Sequence, residues 1–224
     1  MSPLQVLYED NHLLIINKPA GVLVQGDITG DLPLVEMAKA YIGKKYEKPG
    51  DVFLGVVHRL DRPVSGVVVF ARTSKALERM NALFRNKETQ KTYWAIVTTR
   101  PTQPEGTLVH WLVKDEKKNK TTAYSHETTN GLRSELNYKV IDNKKGLYLV
   151  EVNPITGRSH QIRVQLASMG CPIAGDVKYG SDVSSPDGSI ALHARKLSFI
   201  HPVKKEPLTI LAQLPQNDWW KPFA

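Results

Sequence analysis

Residues 56–71 read VVHRLDRPVSGVVVFA and set His58, Arg59, Asp61 and Arg62 in one short stretch with apolar runs on both sides. Charged side chains are seldom buried unless they are paired. Two readings follow. The group is a surface turn whose opposite charges offset one another, a weak contribution of about 0–1 kcal/mol per exposed pair; or Asp61 is a carboxylate placed to react. A second set lies in NPITGRSHQIRVQLASMGCPIAGDVKYG, residues 153–180, where a Gly-containing turn feeds Arg158, His160 and Arg163 into a helical segment. Amides at a helix N-terminus, with arginines added, attract anions. The plainer alternative is that Arg158 and His160 tie down the turn while Arg163 snorkels from the helix edge. In KTYWAIV, Tyr93 points to the opposite face from Thr92 and Trp94. Such a residue is either part of a core or a plate on which a base stacks. His58 and His193 complete the polar groups in apolar settings.

A lone carboxylate among arginines can act as nucleophile, base or electrostatic stabiliser. Hydrolysis of an anionic sugar normally calls on two carboxylates, and only Asp61 is well placed; Glu151 and Asp176 match no role in that scheme. The chain has no Gly-rich phosphate loop, no His-x-x-x-His pair on a helical segment and no Gly-x-Ser-x-Gly elbow. Cys171 is the single cysteine, too few for an internal disulfide or a thiolate metal cluster. The simplest expectation is cytoplasmic chemistry without metal or cofactor.

These residues need a scaffold, and 224 residues with 41% hydrophobic content can bury a real core. The chain reads as one domain over 1–224, without repeats, low-complexity tracts or a convincing linker. LQVLY and LLIIN around EDNH predict a β-hairpin over 4–17, and residues 34–43 read as weakly helical. TSKALERMNALFRN predicts a helix over 75–87, with Leu77, Met80, Leu83 and Phe84 on one face and Thr73 or Ser74 as N-cap. Alternating segments predict strands at 91–98, 106–113, 121–126, 133–142 and 146–153. A second helix is expected over 159–169, capped by Ser159, stopped by Gly170, and laying Ile162, Leu166 and Met169 on the sheet. IALHARKLSF and LTILAQL add two strands about a Pro-containing turn, and 176–189 reads as loop. The absence of regular βαβ alternation favours an α+β fold, a mostly antiparallel mixed sheet with flanking helices.

Lys and Arg number 30 against 22 Asp and Glu, a formal charge of +8. Such an excess attracts polyanions. The cations are scattered in small clusters, of which KDEKKNK at 114–120 is the first choice for phosphate contacts.

Taken together, the blocks resemble a known family. HRLDRPVSG at 58–66 is similar to the signature of the RluA-type RNA pseudouridine synthases, YEDNHLLIINKPAGVLV at 8–24 to their opening segment, and KTYWAIV at 91–97 to their tyrosine strand. TGRSHQIRVQLASMGCPIAGDVKYG at 156–180 resembles the family's late motif and LHARKLSFIHP at 192–202 its closing one. The resemblance implies the pseudouridine synthase catalytic fold and a monomeric, cofactor-free isomerase acting on structured RNA, ribosomal or transfer. It implies Asp61 as the catalytic aspartate, Tyr93 stacking on the target uracil, Arg163 pairing with the aspartate, and Arg59 helping to displace the nucleotide. Val64 stands where the family usually has Thr, which removes a hydroxyl from the catalytic loop. The S4-like RNA-binding domain that some members carry in front is not expected here. The alternative of another class is a catalytically inactive RNA-binding or RNA-chaperone module of the same fold.

Overall fold

A computed structural model describes residues 4–224. The chain forms two units, Met1–Gln90 with Ala194–Gln213, and Lys91–His193 with Leu214–Ala224.

In the first unit the expected hairpin is β1 (Val6–Glu9) and β2 (Leu13–Lys18). Its turn is closed by Asp10, whose Oδ1 accepts from the amides of His12 and Leu13, each at 2.8 Å. The helix α1 (Leu34–Lys45) buries Leu34, Val35, Ala38 and Ile42, longer than the weak periodicity of 34–43 suggests. After the short β3 (Gly55–Val56), β4 (Ser65–Ala71) pairs antiparallel with both β2 and β3. All of SGVVVFA in β4 is buried, which is why it reads as one apolar run instead of an alternation. The helix α2 (Ser74–Arg85) starts where expected, with Thr73 Oγ1 accepting from Ala76 N at 3.1 Å. Such a cap is worth about 1 kcal/mol. Met80 of α2 packs on Leu13, Ile15, Val67 and Val69 together with Leu197 and Phe199. The latter two come from the strand Leu192–Ile200, which pairs antiparallel with Pro207–Leu211.

The second unit is built on β5 (Gln90–Val97), β6 (Glu105–Asp115), β7 (Lys120–Tyr124), β8 (Leu132–Lys144) and β9 (Leu147–Pro154). They lie in the order β5-β9-β8-β6-β7, every neighbouring pair antiparallel. With β10 (Leu192–Ile200) and β11 (Pro207–Leu211) the strands number as in the sequence, and with three α-helices among the described residues the fold is α+β as expected.

The helix α3 spans Gln161–Ser168, shorter than the 159–169 expected. Ser159 is not its cap. His160 takes that position in left-handed backbone, φ 54°, with no side-chain capping bond. The turn is closed by Gln161 instead, whose Oε1 accepts from Arg158 N at 2.9 Å and Thr156 Oγ1 at 2.8 Å. Gly170, at φ 77°, ends the helix as expected. Ile162 and Leu166 are buried and Met169 is half-buried, but Gln161 and Val164 are buried too, so α3 is covered on nearly all sides. No helix among the described residues is long and apolar enough to cross a membrane.

Candidate active site

Asp61 opens a turn in which Val64 N donates to its carbonyl at 3.0 Å. Asp61 is half-buried, and Arg59 and Arg62 on either side are exposed. His58 Nε2 accepts from Val69 N at 3.2 Å and its ring stacks on Phe84 at 4.8 Å, so it braces the turn against β4 and α2. Val64 is 2% exposed, filling the position with a methyl group where a hydroxyl would need a buried partner.

What holds this turn is Lys18, which reading the sequence missed. The last residue of β2, it has no solvent exposure. Its Nζ donates to Val22 O at 2.7 Å, Pro19 O at 3.0 Å and Arg62 O at 3.2 Å, so three acceptors meet its three N–H groups. Burial pushes the Lys18 ammonium down to about 7, Asp61 pulls it up and Arg62 lowers it further. The Asp61 turn is thus bound through its backbone to the loop after β2, with a buried cation in range of the carboxylate. The signal was a lysine closing LLIINKP in period-two register with Leu14 and Ile16, on one face of the strand.

Arg62 lies on the surface and has a task. Its Nε donates to Gly21 O at 2.9 Å, Gly21 N donates back to Arg62 O at 2.8 Å, and its guanidinium meets Asp31 at 2.7 Å. Gly66, opposite Lys18 in the β2–β4 register, has φ 117°, and a Cβ there would collide with the backbone of Ala194. Only glycine serves at that point of the signature.

In the second unit, Tyr93 on β5 is half-buried opposite Val152, while its neighbours turn the other way. Thr92 Oγ1 donates to Asn153 Oδ1 at 2.9 Å, and Trp94 Nε1 reaches Glu151 at 3.4 Å. Arg163 is 5% exposed and does not snorkel. Its Nε donates to Asp176 Oδ2 at 2.7 Å and its Nη2 to Asp176 Oδ1 at 2.9 Å. Asp176, to which the sequence assigned no role, is therefore the carboxylate of a buried bidentate pair. Tyr179 lies over the same guanidinium, 5.1 Å from its ring centroid. His160 is also buried, with Nδ1 2.7 Å from Tyr179 Oη, and His193 is buried edge-on to Trp220, whereas Arg158 is exposed. The cluster 114–120 forms the exposed β6–β7 turn, where Lys178 Nζ donates to Asn119 O at 3.1 Å.

Among the described residues no three His, Cys, Asp or Glu side chains are grouped so as to hold a metal ion. The chemistry on offer is a half-exposed carboxylate on a rigid turn in one unit, and an aromatic strand residue and an oriented arginine in the other.

Comparison with known proteins bears on this arrangement. The model of a family described as RNA pseudouridylate synthase matches residues 12–168, a stretch that contains Lys18, Arg59, Asp61, Tyr93 and Arg163. The ribosomal large subunit pseudouridine synthase C of Vibrio cholerae is 34% identical over 221 residues, covering 93% of this chain and 65% of that protein. The synthase D of Zymomonas mobilis is 32% identical over 225 residues, covering 96% and 70%. The chain thus spans about two thirds of the length of these relatives. Human RNA pseudouridylate synthase domain containing 4 superposes with a TM-score of 0.79 at 27% identity, over 95% of this chain and 89% of that one. The corresponding human domain containing 1 gives 0.74 at 23% identity, over 96% and 87%, a likeness of fold.

Proposed function

Because the chain belongs to the RNA pseudouridylate synthase family, we propose that it isomerises a specific uridine in structured RNA to pseudouridine, with Asp61 as nucleophile or base and no cofactor. The observation that carries this is the placement of Asp61: a half-exposed carboxylate on a turn locked by the buried Lys18, inside the matched stretch.

The reaction breaks the N1–C1′ bond, turns the uracil and joins C5 to C1′; C5 loses a proton and N1 gains one, with no net redox change. Asp61 has three routes: attack at C1′, attack at C6 of the uracil, or removal of the C2′ proton to give a glycal. In each the carboxylate enters ionised, and a nearby cation favours that form. Arg163 is the partner assigned to it, Tyr93 is the plate under the uracil and the candidate base for the C5 proton, and Arg59, exposed beside Asp61, is assigned to the breach left in the RNA. Flipping a base out costs a few kcal/mol, and stacking returns about 1–3 kcal/mol per base.

The names of the Vibrio and Zymomonas relatives support ribosomal RNA of the large subunit as the substrate class. On this reading the protein acts as a monomer on cytoplasmic RNA, both units forming one catalytic domain. Release of tritium from C5-labelled uridine in total RNA tests the activity: wild type releases it and Asp61→Ala does not. Undiminished release by Asp61→Ala sinks the assignment. Mapping pseudouridines across all stable RNAs in a strain lacking the gene identifies the substrate, the expected result being the loss of a large-subunit site. If no site is lost while RNA folding suffers, the protein is an RNA-binding module that has lost catalysis.

A further inference from the structure

Arg62 is joined at three points to the segment between β2 and α1. Its Nε donates to Gly21 O at 2.9 Å, its carbonyl accepts from Gly21 N at 2.8 Å, and its Nη1 lies 2.7 Å from Asp31 Oδ2. The first two bonds fix the arm of the side chain. The third occupies its outer end, in an ion pair whose side chains are 46% and 52% exposed.

Holding the loop does not require that pair. Residues 25–32, QGDITGDL, are all exposed, and the chain on either side of them is already clamped by Leu34 N donating to Leu23 O at 2.7 Å and Val35 N to Val24 O at 3.1 Å. The loop is also bonded within itself, Asp27 Oδ1 accepting from Thr29 N at 2.9 Å and Thr29 Oγ1 from Asp31 N at 3.5 Å. An ion pair so exposed adds little to stability. Its larger consequence is for charge. The loop carries two carboxylates and no cation. Both bear on Arg62: Asp31 by contact, and Asp27 because the charge of Arg62, after the hydrogen bonds from Thr29, helps to hold its carboxyl below the ordinary range.

Arg62 follows Asp61 in the chain, and its charge reaches the same buried Lys18 that the Asp61 carboxylate reaches. A nucleotide lying on Asp61 brings its own phosphates within the span of one arginine side chain. A guanidinium fork takes a phosphate by the same two parallel hydrogen bonds that it offers a carboxylate. Asp31 and an RNA phosphate are therefore rivals for one end of Arg62, and the bond to Gly21 O keeps the arm in place while they exchange. We propose that Arg62 is a phosphate-binding residue for the nucleotide that lies on Asp61, with Asp31 as the built-in competitor that RNA must displace. The inference rests on the reading above, in which Asp61 is the reacting carboxylate. RNA that brings no phosphate to this point meets two carboxylates and is repelled, so the pair favours strands already shaped to reach Arg62.

The test measures RNA affinity by filter binding, and KM and kcat for tritium release, in Asp31→Asn, Arg62→Gln and the double variant, with circular dichroism to check folding. Asp31→Asn should tighten binding about two- to fivefold, the strength of an exposed pair expressed as affinity, and the gain should appear in KM and not in kcat. Arg62→Gln should weaken binding about tenfold and lower the slope of log K against log salt by about 0.7. In the double variant the gain from Asp31→Asn should vanish, because its partner is gone. A gain that persists there reflects plain repulsion of RNA by a carboxylate and overturns the proposal. Unchanged or weaker binding by Asp31→Asn overturns it as well. If Arg62→Gln does not fold, Asp27→Asn decides: direct competition gives it a smaller gain than Asp31→Asn, and equal gains overturn the proposal. The Asp61→Ala control separates the two levels. An active Asp61→Ala removes the functional reading and this inference with it, whereas an inactive Asp61→Ala beside wild-type binding by Asp31→Asn removes the inference alone.

Discussion

Lys18 Nζ donates to the carbonyl of Arg62 at 3.2 Å, joining the end of one strand to a turn 44 residues later. That bond, with those to Pro19 and Val22, makes a buried ammonium the fastener of the turn that carries Asp61. Lys18→Met keeps most of the volume and takes this donor from the carbonyls of Pro19 and Val22, while Arg62 O keeps the bond from Gly21 N; a carbonyl left buried and unpaired costs about 1–3 kcal/mol. Relief of the buried charge offsets part of this, so urea unfolding should show a net loss of about 2–4 kcal/mol at neutral pH. Tritium release should fall as well, because the Asp61 turn loses its anchor.

The same residue makes stability depend on pH. In the fold Lys18 loses its proton near 7, against 10.5 for an ordinary lysine, so between those values the unfolded chain binds the extra proton. Stability from this group then rises with pH across that window, by at most about 1.4 kcal/mol per unit. The Lys18→Met variant lacks the slope, so its deficit relative to wild type should widen from about pH 7 to about pH 9. A constant deficit would mean that the three carbonyls keep the ammonium charged throughout.

Gly66→Ala adds one methyl group at φ 117° against the backbone of Ala194, which cannot yield as a side-chain tip would. Strained backbone of this kind costs about 1–3 kcal/mol before any clash is counted. The expected outcome is a drop in unfolding free energy larger than that, or failure to fold. Wild-type stability would show that the two strands can separate.

RNA affinity should fall steeply with salt, since each phosphate contact releases counterions. Replacing Lys117, Lys118 and Lys120 of the exposed β6–β7 turn by Gln should lower the slope of log K against log salt by about 2 if all three meet phosphate, at roughly 0.7 per contact on single strands. Filter binding across a salt series measures it. An unchanged slope assigns that turn to solvent.

Much of the fold was legible because its causes are local. The β1–β2 hairpin followed from a turn-forming EDNH between apolar runs, and α2 from a helical stripe behind Thr73, whose hydroxyl does cap it. Ser159 is not the cap because His160 stands at that position, and the turn is closed by Gln161 Oε1, which accepts from Arg158 N. The helix α3 is shorter than expected because His160 is in left-handed backbone, φ 54°, and so cannot begin it.

The sequence by itself determined the types of element and the order of the motif blocks, and through those blocks its resemblance to the family singled out Asp61, Arg59, Tyr93 and Arg163. Each of these is a pattern of residue type and spacing along one stretch of chain. Only the tertiary structure decided that Lys18 lies beneath the Asp61 turn and that Asp176, which local pattern left without a role, grips Arg163. Both depend on which groups are left together when water is excluded. A buried charge must find whatever partners packing brings within hydrogen-bond reach, and packing joins residues that spacing along the chain does not relate.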